Sequence, residues 1–236
     1  MFSKELFANV ILMILCYVYI LLIIFISSKM DKFLHTSQKA SRKFLHAMIG
    51  NLPFIIPFFT GNIYPVLVAA PFIAVTLFAS PYSPVDNVNK RLKGLADITE
   101  EGHHLGLVFY AVSYTFLALF FASKPYVIAA GILPMAYGDS LASIVGERYG
   151  RRRYKVFADK SLEGSVAMFF GSFLSFTLSL VFFSVLYQFS VYEKVFSALA
   201  AAVVAALVES ISPMGFDNLT VPAFSALTFL LLNGGT

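Results

Sequence analysis

Eight apolar runs, separated by short polar segments, organise the whole chain. They cover residues 7–26, 44–59, 63–79, 105–122, 126–145, 164–187, 195–211 and 219–232. Because a helix needs roughly 20 apolar residues to cross the hydrocarbon core of a bilayer, the pattern predicts about seven or eight membrane-spanning helices. With such short connections, residues 1–236 are predicted to form a single domain, an all-α polytopic transmembrane bundle.

Two of these runs contain residues that break helices. Pro53 and Pro57 interrupt the second run, and Gly131 and Pro134 interrupt the fifth. Inside a membrane, broken helices persist only where neighbouring protein or water satisfies the freed backbone groups. We therefore expect these two segments to line a cavity.

The composition agrees with a membrane protein. Hydrophobic residues make up 58% of the chain and charged residues 13%, with a mean hydropathy of +0.79, which lies outside the range of soluble proteins. The first run is longer than the apolar core of a signal peptide and lacks a small-residue cleavage site, so we expect it to be a true span. The single cysteine, Cys16, excludes an internal disulfide and a cysteine-based metal site.

Charged residues are concentrated on one side of the predicted bundle. Excess Lys and Arg marks the cytoplasmic side of a membrane protein. The loops after the first, third and fifth runs hold this excess, in Lys29, Lys32, Lys39, Arg42, Lys43, Lys90, Arg91, Lys93, Arg148, Arg151, Arg152, Arg153, Lys155 and Lys160. All acids except Glu5 and Glu193, and all four histidines, fall on the same side. We predict a multi-pass protein whose active face is cytoplasmic, in the plasma membrane if the source is prokaryotic.

The net charge of +4 comes mainly from these loops and favours an anionic ligand. The basic residues lie against a membrane, so we expect no nucleic-acid partner. The pattern does not predict an oligomeric state.

The segment GDSLASIVGERYGRRRYKVFADKSLEGS, residues 138–165, is polar and basic although it joins two apolar runs. Asp139, Ser143, Gly146 and Gly150 recur at helical spacings of three and four, which predicts one small helix face that carries an acid. Small faces are most often helix-packing seams. The acid on this face favours the approach of a nucleotide phosphate and its metal ion.

A second candidate phosphate site follows at Lys160. Ser161 is predicted to cap a helix that begins at Leu162, and a helix start offers free N–H groups and a positive dipole end to a phosphate. Lys160, Ser161 and Gly164 together form the predicted site, although the P-loop pattern is absent. Glu163, in the same turn, either complements the helix dipole or acts as a catalytic base.

Other basic residues are candidates to extend this site. Arg42 and His46 lie one helical turn apart on the same face, so both can point into one cavity. For Arg42 and Lys43 the alternative is the ordinary positive flank of a membrane span. The run Arg151 to Arg153 either anchors the chain to anionic lipid headgroups or contributes to holding nucleotide phosphates, with Arg151 and Arg152 as the selected contacts.

Three acids and an amide are candidate ligands of Mg²⁺, namely Asp139, Glu209, Asp217 and Asn218. Glu209 ends an apolar run, where a carboxylate is costly unless it faces water, a cation or a partner. Mg²⁺ prefers oxygen ligands and usually retains substrate phosphate and water. The alternative is that these acids form ion pairs with the arginine run.

The loop before the fourth run completes the polar side of the chain, with Asp97, Glu100, Glu101, His103 and His104. A zinc site is disfavoured there, because neither a cysteine nor a spaced pair of histidines accompanies these residues. We interpret the loop as polar and close to the substrate, with Glu101 as a candidate base.

Four motifs, taken in order, resemble a known family: Arg42-Lys43 with His46, GDSLASIVGERYG from Gly138, ADKSLEGS from Ala158, and Glu209 followed by GFDNLTVP. Over residues 42–222 the chain resembles the dolichol kinase, phytol kinase and CTP-dependent diacylglycerol kinase family. The resemblance implies an integral membrane enzyme that phosphorylates a lipid alcohol with CTP. It also implies functional roles for Arg42, Lys43, Asp139 and Gly146. The chain is shorter than the large dolichol kinases, which suggests a compact prokaryotic-type member.

The implied acceptor is an isoprenoid alcohol, such as a polyprenol, dolichol, phytol or geranylgeraniol, or else diacylglycerol, and it would enter from the bilayer. Phosphoryl transfer needs positioning and charge neutralisation more than covalent help. We therefore expect the basic residues, Lys160 among them, to hold the nucleotide phosphates and the acids to hold Mg²⁺. Glu163, Glu101 and His46 are the candidate bases.

Two other functions compete with this hypothesis. A phosphatidate cytidylyltransferase-like CDP-lipid synthase would use similar electrostatics, but its longer signature is absent from the chain. A transporter of an anionic solute would carry charges near the middle of the bilayer and repeated halves. The one-sided acids and the missing repeat argue against a transporter.

Overall fold

The computed structural model describes residues 2–34, 37–83 and 105–233. The helices in these ranges are α1 (Phe2–Leu34), α2 (Gln38–Ile49), α3 (Ile63–Ala69), α4 (Pro71–Ala79), α5 (Gly106–Phe121), α6 (Pro125–Leu133), α7 (Asp139–Tyr149), α8 (Leu162–Tyr187), α9 (Val191–Ile211) and α10 (Asp217–Leu232). Two 3-10 turns, Leu52–Phe54 and Ile56–Phe58, follow α2, and a π-helical turn, Pro134–Gly138, joins α6 to α7. The predicted all-α bundle is confirmed.

The apolar runs predict the positions of the helices closely. Within residues 2–34, 37–83 and 105–233, four segments are long and apolar enough to cross a membrane: Lys4–Met30, Pro125–Tyr149, Leu162–Tyr187 and Val191–Ile211. Three shorter apolar segments are Ile63–Ala79, Gly106–Phe121 and Asp217–Leu232. The run at residues 44–59 is not a continuous helix: α2 ends at Ile49 and 3-10 turns follow, since proline lacks the N–H that a helix needs.

The sequence did not predict the short hairpin between α7 and α8. Its strands are β1 (Arg153–Lys155) and β2 (Asp159–Ser161), which pair in antiparallel register with Arg153 opposite Ser161. The hairpin brings the end of the arginine run back to the start of α8.

The centre of the bundle is the segment Pro125–Tyr149, and most of it is buried. Its side chains at Ile128, Ala130 and Ile132 are 0% exposed. The neighbouring helix α8 packs along α7 and against α9, and α10 packs against α6 and α9. Glycines allow the close approach of α8: a Cβ at Gly171 would lie 3.1 Å from the Cα of Gly138.

The π-helical turn lies directly before Asp139 in this central segment. The N–H of Asp139 bonds to the carbonyl of Pro134, five residues earlier, instead of four as in an α-helix. Such turns change the phase of a helix and are frequent at functional sites. The predicted break at Pro134 therefore occurs one turn before the acid that the sequence singles out.

Gly131 provides a test of how closely α6 and α10 approach each other. A Cβ at this position would lie 2.6 Å from the carbonyl oxygen of Pro222 and 2.8 Å from Cδ1 of Leu117. Since the backbone of α10 must move to relieve this overlap, we expect Gly131→Ala to lower the free energy of unfolding by about 1–3 kcal/mol. Thermal unfolding in detergent measures the effect.

The matched control is Gly61→Ala, where the added Cβ meets the ring of Tyr64 at 3.1 Å, a side chain that can turn away. We expect its unfolding temperature to stay close to that of the wild type. Equal stability of the two variants would contradict the close packing of α6 on α10.

Candidate active site

A cavity of about 280 Å³ lies where α2, α7, the hairpin, the start of α8, the end of α9 and the start of α10 meet. In the part of the chain that the structure describes, five basic and five acidic side chains line it: Lys39, Arg42, Lys43, Arg153 and Lys160, with Asp139, Glu147, Asp159, Glu209 and Asp217. Its other walls are mostly small or polar, at Ala142, Ser143, Gly146, Ala158, Ser161, Gly164, Ser165 and Met214. Most of the predicted site residues therefore meet in one place, at one end of an apolar bundle.

Two buried ion pairs form part of the cavity wall. Lys43 donates a hydrogen bond to the carboxylate of Asp139. Lys160 donates to the carboxylate of Glu209, whose side chain is 4% exposed. Buried charges are costly unless they are paired, so each lysine compensates the acid beside it. Ion pairing was the alternative to metal binding for these acids, and Asp139 and Glu209 do form ion pairs. Their partners are lysines and not the arginine run.

Lys160 lies outside the membrane-spanning segments, and its pKa is shifted upward. Burial acts to lower this pKa, but the carboxylates of Glu209, Asp139 and Asp217 outweigh burial and hold the pKa above the ordinary lysine value. A raised pKa means that the proton stays bound to higher pH. Lys160 is therefore fully charged at neutral pH and suited to a phosphate.

The start of α8 forms the wall next to Lys160. The side-chain oxygen of Ser161 accepts a hydrogen bond from the N–H of Gly164 at 3.1 Å, which confirms the predicted helix cap. Gly146 of α7 lies against this turn, since a Cβ there would be 3.1 Å from Oγ of Ser161 and 3.7 Å from Cα of Gly164. The small face of α7 therefore does two things: it packs on α8 and it lines the cavity.

His46, a predicted catalytic residue, does not line the cavity. Its side chain is buried, and its ring stacks on Tyr110 with ring centroids 4.8 Å apart and an angle of 8° between the planes. The hydroxyl of Tyr110 also donates to the backbone carbonyl of His46 at 3.3 Å. His46 thus lies one turn along α2 from Arg42 and Lys43, against α5.

Glu163 and the first two arginines of the run also lie away from the cavity wall. The carboxylate of Glu163 accepts hydrogen bonds from the backbone N–H of Arg151 at 3.2 Å and of Arg152 at 3.3 Å. Both arginines are exposed. The visible role of Glu163 is to hold the loop that leads from α7 into the hairpin.

Asn218 supports the acid beside it. Its backbone N–H and its side-chain amide both donate to Oδ1 of Asp217, at 2.9 and 3.2 Å, and the amide also donates to the carbonyl of Gly215 at 3.2 Å. Asn218 does not line the cavity, whereas Asp217 does. These hydrogen bonds fix the orientation of the Asp217 carboxylate.

Sequence reasoning did not select Lys39 or Glu147, which line the cavity, and it considered Arg153 only as part of the arginine run. Lys39 and Glu147 form an ion pair there, and Arg153 donates to the carbonyl of Gly146 at 3.4 Å. Of the three arginines, only Arg153 belongs to the hairpin, whose register places it opposite Ser161. Arg151 and Arg152 lie in the loop before the hairpin. The strands have three residues each, too few for alternation in the sequence to reveal them.

The acids of the cavity suit a metal ion that enters together with a phosphate group. Within the described residues, no group of three His, Cys, Asp or Glu side chains is placed to hold a metal ion alone. Asp139, Glu209 and Asp217 nevertheless share one cavity. Mg²⁺ in nucleotide sites commonly takes one or two carboxylates, and phosphate and water complete its coordination. The loop residues Asp97, Glu100, Glu101, His103 and His104 lie outside the described residues, so the role of Glu101 stays a prediction.

Comparison with known proteins identifies clear relatives. The chain is 37% identical over 198 residues to the phytol kinase of Synechocystis sp., an alignment that covers 80% of this chain and 77% of the relative. It is 33% identical to the probable chloroplastic phytol kinase 2 of Oryza sativa, over 80% of this chain and 65% of the relative. It is 30% identical to the chloroplastic farnesol kinase of Arabidopsis thaliana, over 83% of this chain and 66% of the relative. No protein-family profile and no solved structure matches the chain.

Proposed function

The chain belongs to the family of the phytol and farnesol kinases, and on that premise we propose that it transfers the terminal phosphate of CTP to the hydroxyl of an isoprenoid alcohol in the membrane. A lipid-alcohol kinase is what the relatives support; CTP and the isoprenoid acceptor are the finer parts of the proposal. One observation carries it: the charged cavity, with its two buried lysine–carboxylate pairs, at one end of an apolar bundle.

The balance of charge in the cavity favours a nucleotide that carries a metal ion. Among the described residues that line the cavity, five basic and five acidic side chains leave no net formal charge. A bare triphosphate would be attracted by the bases and repelled by the acids, whereas a magnesium–nucleotide complex offers a partner to both. Lys43, Lys160 and Arg42 would hold the phosphates. Asp139 and Asp217, with Glu209, would hold Mg²⁺, which neutralises phosphate charge when bound.

In the proposed reaction, the alcohol oxygen forms a bond to the γ-phosphorus. The bond from the γ-phosphorus to the bridging oxygen breaks, and CDP leaves with that oxygen. The hydroxyl proton passes to a base, and of the three predicted bases Glu101 lies outside the described residues. Glu163 and His46 do not line the cavity. Since the transition state is loose, the positive side chains contribute more to the rate than the base does.

The location of the reaction is also part of the proposal. The predicted excess of Lys and Arg on the side of the cavity supports a cytoplasmic active face. The alcohol would enter from the bilayer, with its hydroxyl at the end of the bundle that carries the charged residues.

The proposal is tested with purified protein in liposomes that contain Mg²⁺ and one acceptor at a time: phytol, farnesol, geranylgeraniol, a polyprenol, dolichol, diacylglycerol or phosphatidate. Each acceptor is offered CTP, ATP, GTP or UTP, and products are identified by mass spectrometry. We expect isoprenyl monophosphates, with CTP as the preferred donor. A CDP-lipid formed from phosphatidate, without any phosphorylated alcohol, would replace the kinase by a cytidylyltransferase.

Glu163→Ala separates a loop-holding role from a catalytic one. The contacts of Glu163 are the backbone amides of Arg151 and Arg152, so its loss should loosen the hairpin that carries Lys160. We expect the KM for the nucleotide to rise roughly three- to tenfold, and kcat to stay within about threefold of the wild type. Steady-state kinetics at saturating alcohol measure both constants.

Glu163→Gln is the matched control, because its carbonyl oxygen still accepts from the loop, and we expect it to restore most of the affinity for the nucleotide. A catalytic role for Glu163 predicts a different result for the two variants. If Glu163 took the hydroxyl proton, both variants would lower kcat by about 10²-fold or more.

A further inference from the structure

An apolar groove lies between α1, α2, α4 and α5. Its lining includes Ile24, Leu45, Ile49, Phe72 and Ala111, and the ring of Tyr110 forms part of its wall. The hydroxyl of Thr76, which also lines it, donates to the carbonyl of Phe72 at 2.6 Å within its own helix. The groove therefore offers contact to hydrocarbon and almost no polar group to a ligand.

Helix α2 connects this groove to the charged cavity. The first half of α2 supplies Lys39, Arg42 and Lys43 to the cavity, and the second half supplies Leu45 and Ile49 to the groove. One helix thus presents first a surface for phosphate and then a surface for hydrocarbon. A molecule with a polar head and an apolar chain matches this order.

The stacked rings of His46 and Tyr110 lie between α2 and α5, beside the groove. His46 lies one turn after Arg42 and Lys43, which line the charged cavity, and Tyr110 lines the groove. Both side chains are buried, at 1% and 4% exposure. The contact between their rings, and the hydrogen bond from the Tyr110 hydroxyl to the His46 carbonyl, hold α2 against α5 at this point.

We propose that the groove between α2 and α5 binds the isoprene units next to the hydroxyl of the alcohol substrate. This inference rests on the proposed function. The hydroxyl would lie towards the first half of α2, on the side of Lys43 and Asp139. The rest of the isoprenoid chain would lie in the bilayer.

Photo-crosslinking on the wild-type protein tests the location directly. The probe is a farnesol analogue with a diazirine on the isoprene unit next to the hydroxyl, irradiated in liposomes and mapped by mass spectrometry. We expect labelling of peptides that contain Ile49, Phe72 and Ala111, suppressed by excess farnesol or phytol. Labelling confined to other helices, or labelling that excess alcohol does not suppress, would overturn the groove as the binding site.

A substitution that fills the groove provides a kinetic test. Ala111→Phe adds a ring inside the groove, whereas Leu119→Phe adds one on the same helix at a side chain that is 58% exposed. We expect Ala111→Phe to raise the KM for the alcohol by about tenfold or more, with the KM for the nucleotide within about twofold. Leu119→Phe should change neither constant, and an equal effect of the two variants would overturn the proposal.

Two outcomes separate this inference from the proposed function. If the wild-type protein phosphorylates an isoprenoid alcohol but the crosslinks map elsewhere, the groove fails and the kinase stands. If the wild-type protein phosphorylates no alcohol, the proposed function fails, wherever the crosslinks map. Should Ala111→Phe fail to fold, Phe72→Ala enlarges the groove instead, and we expect it to change the ratio of kcat/KM for phytol and farnesol by about threefold or more.

Discussion

Asp139→Asn is expected to lower kcat for the phosphorylation of an isoprenoid alcohol by roughly 10³-fold, which corresponds to about 4 kcal/mol of transition-state stabilisation. Asp139 is buried in the central segment, pairs with Lys43 and lines the charged cavity. The substitution keeps the shape of the side chain and removes the charge that would hold Mg²⁺. Steady-state kinetics with saturating nucleotide and alcohol measure the loss.

Folding must be separated from catalysis in this variant, because removing one partner of a buried ion pair costs about 3–5 kcal/mol. The double variant Lys43→Met/Asp139→Asn removes both charges of the pair, so we expect its unfolding temperature to recover towards that of the wild type while activity stays lost. Glu193→Gln, the same chemical change at an exposed residue of α9, is the control and should keep activity within about twofold. An active Asp139→Asn variant would remove this acid from the site.

Lys160→Met is expected to raise the KM for the nucleotide by roughly 10²-fold, about 3 kcal/mol of lost binding. The substitution removes one of the positive side chains proposed to hold the phosphates, and it leaves Glu209 without the lysine that pairs with it. Because the pKa of Lys160 lies above the ordinary lysine value, the residue is charged from pH 6 to pH 9. The ratio of wild-type to variant activity should therefore be constant across that range.

Lys155→Met is the matched control on the same hairpin. Lys155 is exposed and pairs with Asp159 at 3.8 Å, and exposed ion pairs contribute little to stability or binding. We expect its KM for the nucleotide to remain within about twofold of the wild type. Equal effects of the two substitutions would mean that the hairpin attracts the nucleotide only through its general positive charge.

The positions of the helices could be predicted from the sequence because the length of an apolar run directly reflects the thickness of a bilayer. Ser161 could be predicted as a helix cap because the cap is a local interaction, with Gly164 three residues away. The convergence of Arg42, Asp139 and Glu209 could be predicted from the position of charges relative to the runs. Each of these predictions needs only the residues close by in the sequence, or the side of the membrane on which a residue lies.

The pairing of the charges could not be predicted in the same way. Lys43 and Asp139 are 96 residues apart in the chain, and Lys160 and Glu209 are 49 apart. Which lysine pairs with which acid depends on how α2, α7 and α9 pack. Hydropathy carries no information about that packing. The sequence also did not predict the hairpin, which turns Arg153 into the cavity and leaves Arg151 and Arg152 outside.

The interruption of the central segment shows what an irregular helix contributes. Pro134 predicts a break, but not that the break is a π-helical turn that ends at Asp139. The altered phase after this turn decides which residues of α7 face α8 and the cavity, namely Asp139, Ser143 and Gly146. Local sequence rules therefore indicate where the helix changes, and tertiary packing decides what the change exposes.

The fate of the phosphates of CTP tests the central claim most directly. Wild-type protein and Asp139→Asn in liposomes with Mg²⁺ and phytol are offered CTP labelled at either the α- or the γ-phosphate, and the lipid fraction is extracted and counted. We predict label in phytyl phosphate only from the γ position and only with the wild-type protein. Label entering lipid from the α position, or equal transfer from the γ position by both proteins, would contradict a phosphoryl transfer that depends on the charged cavity.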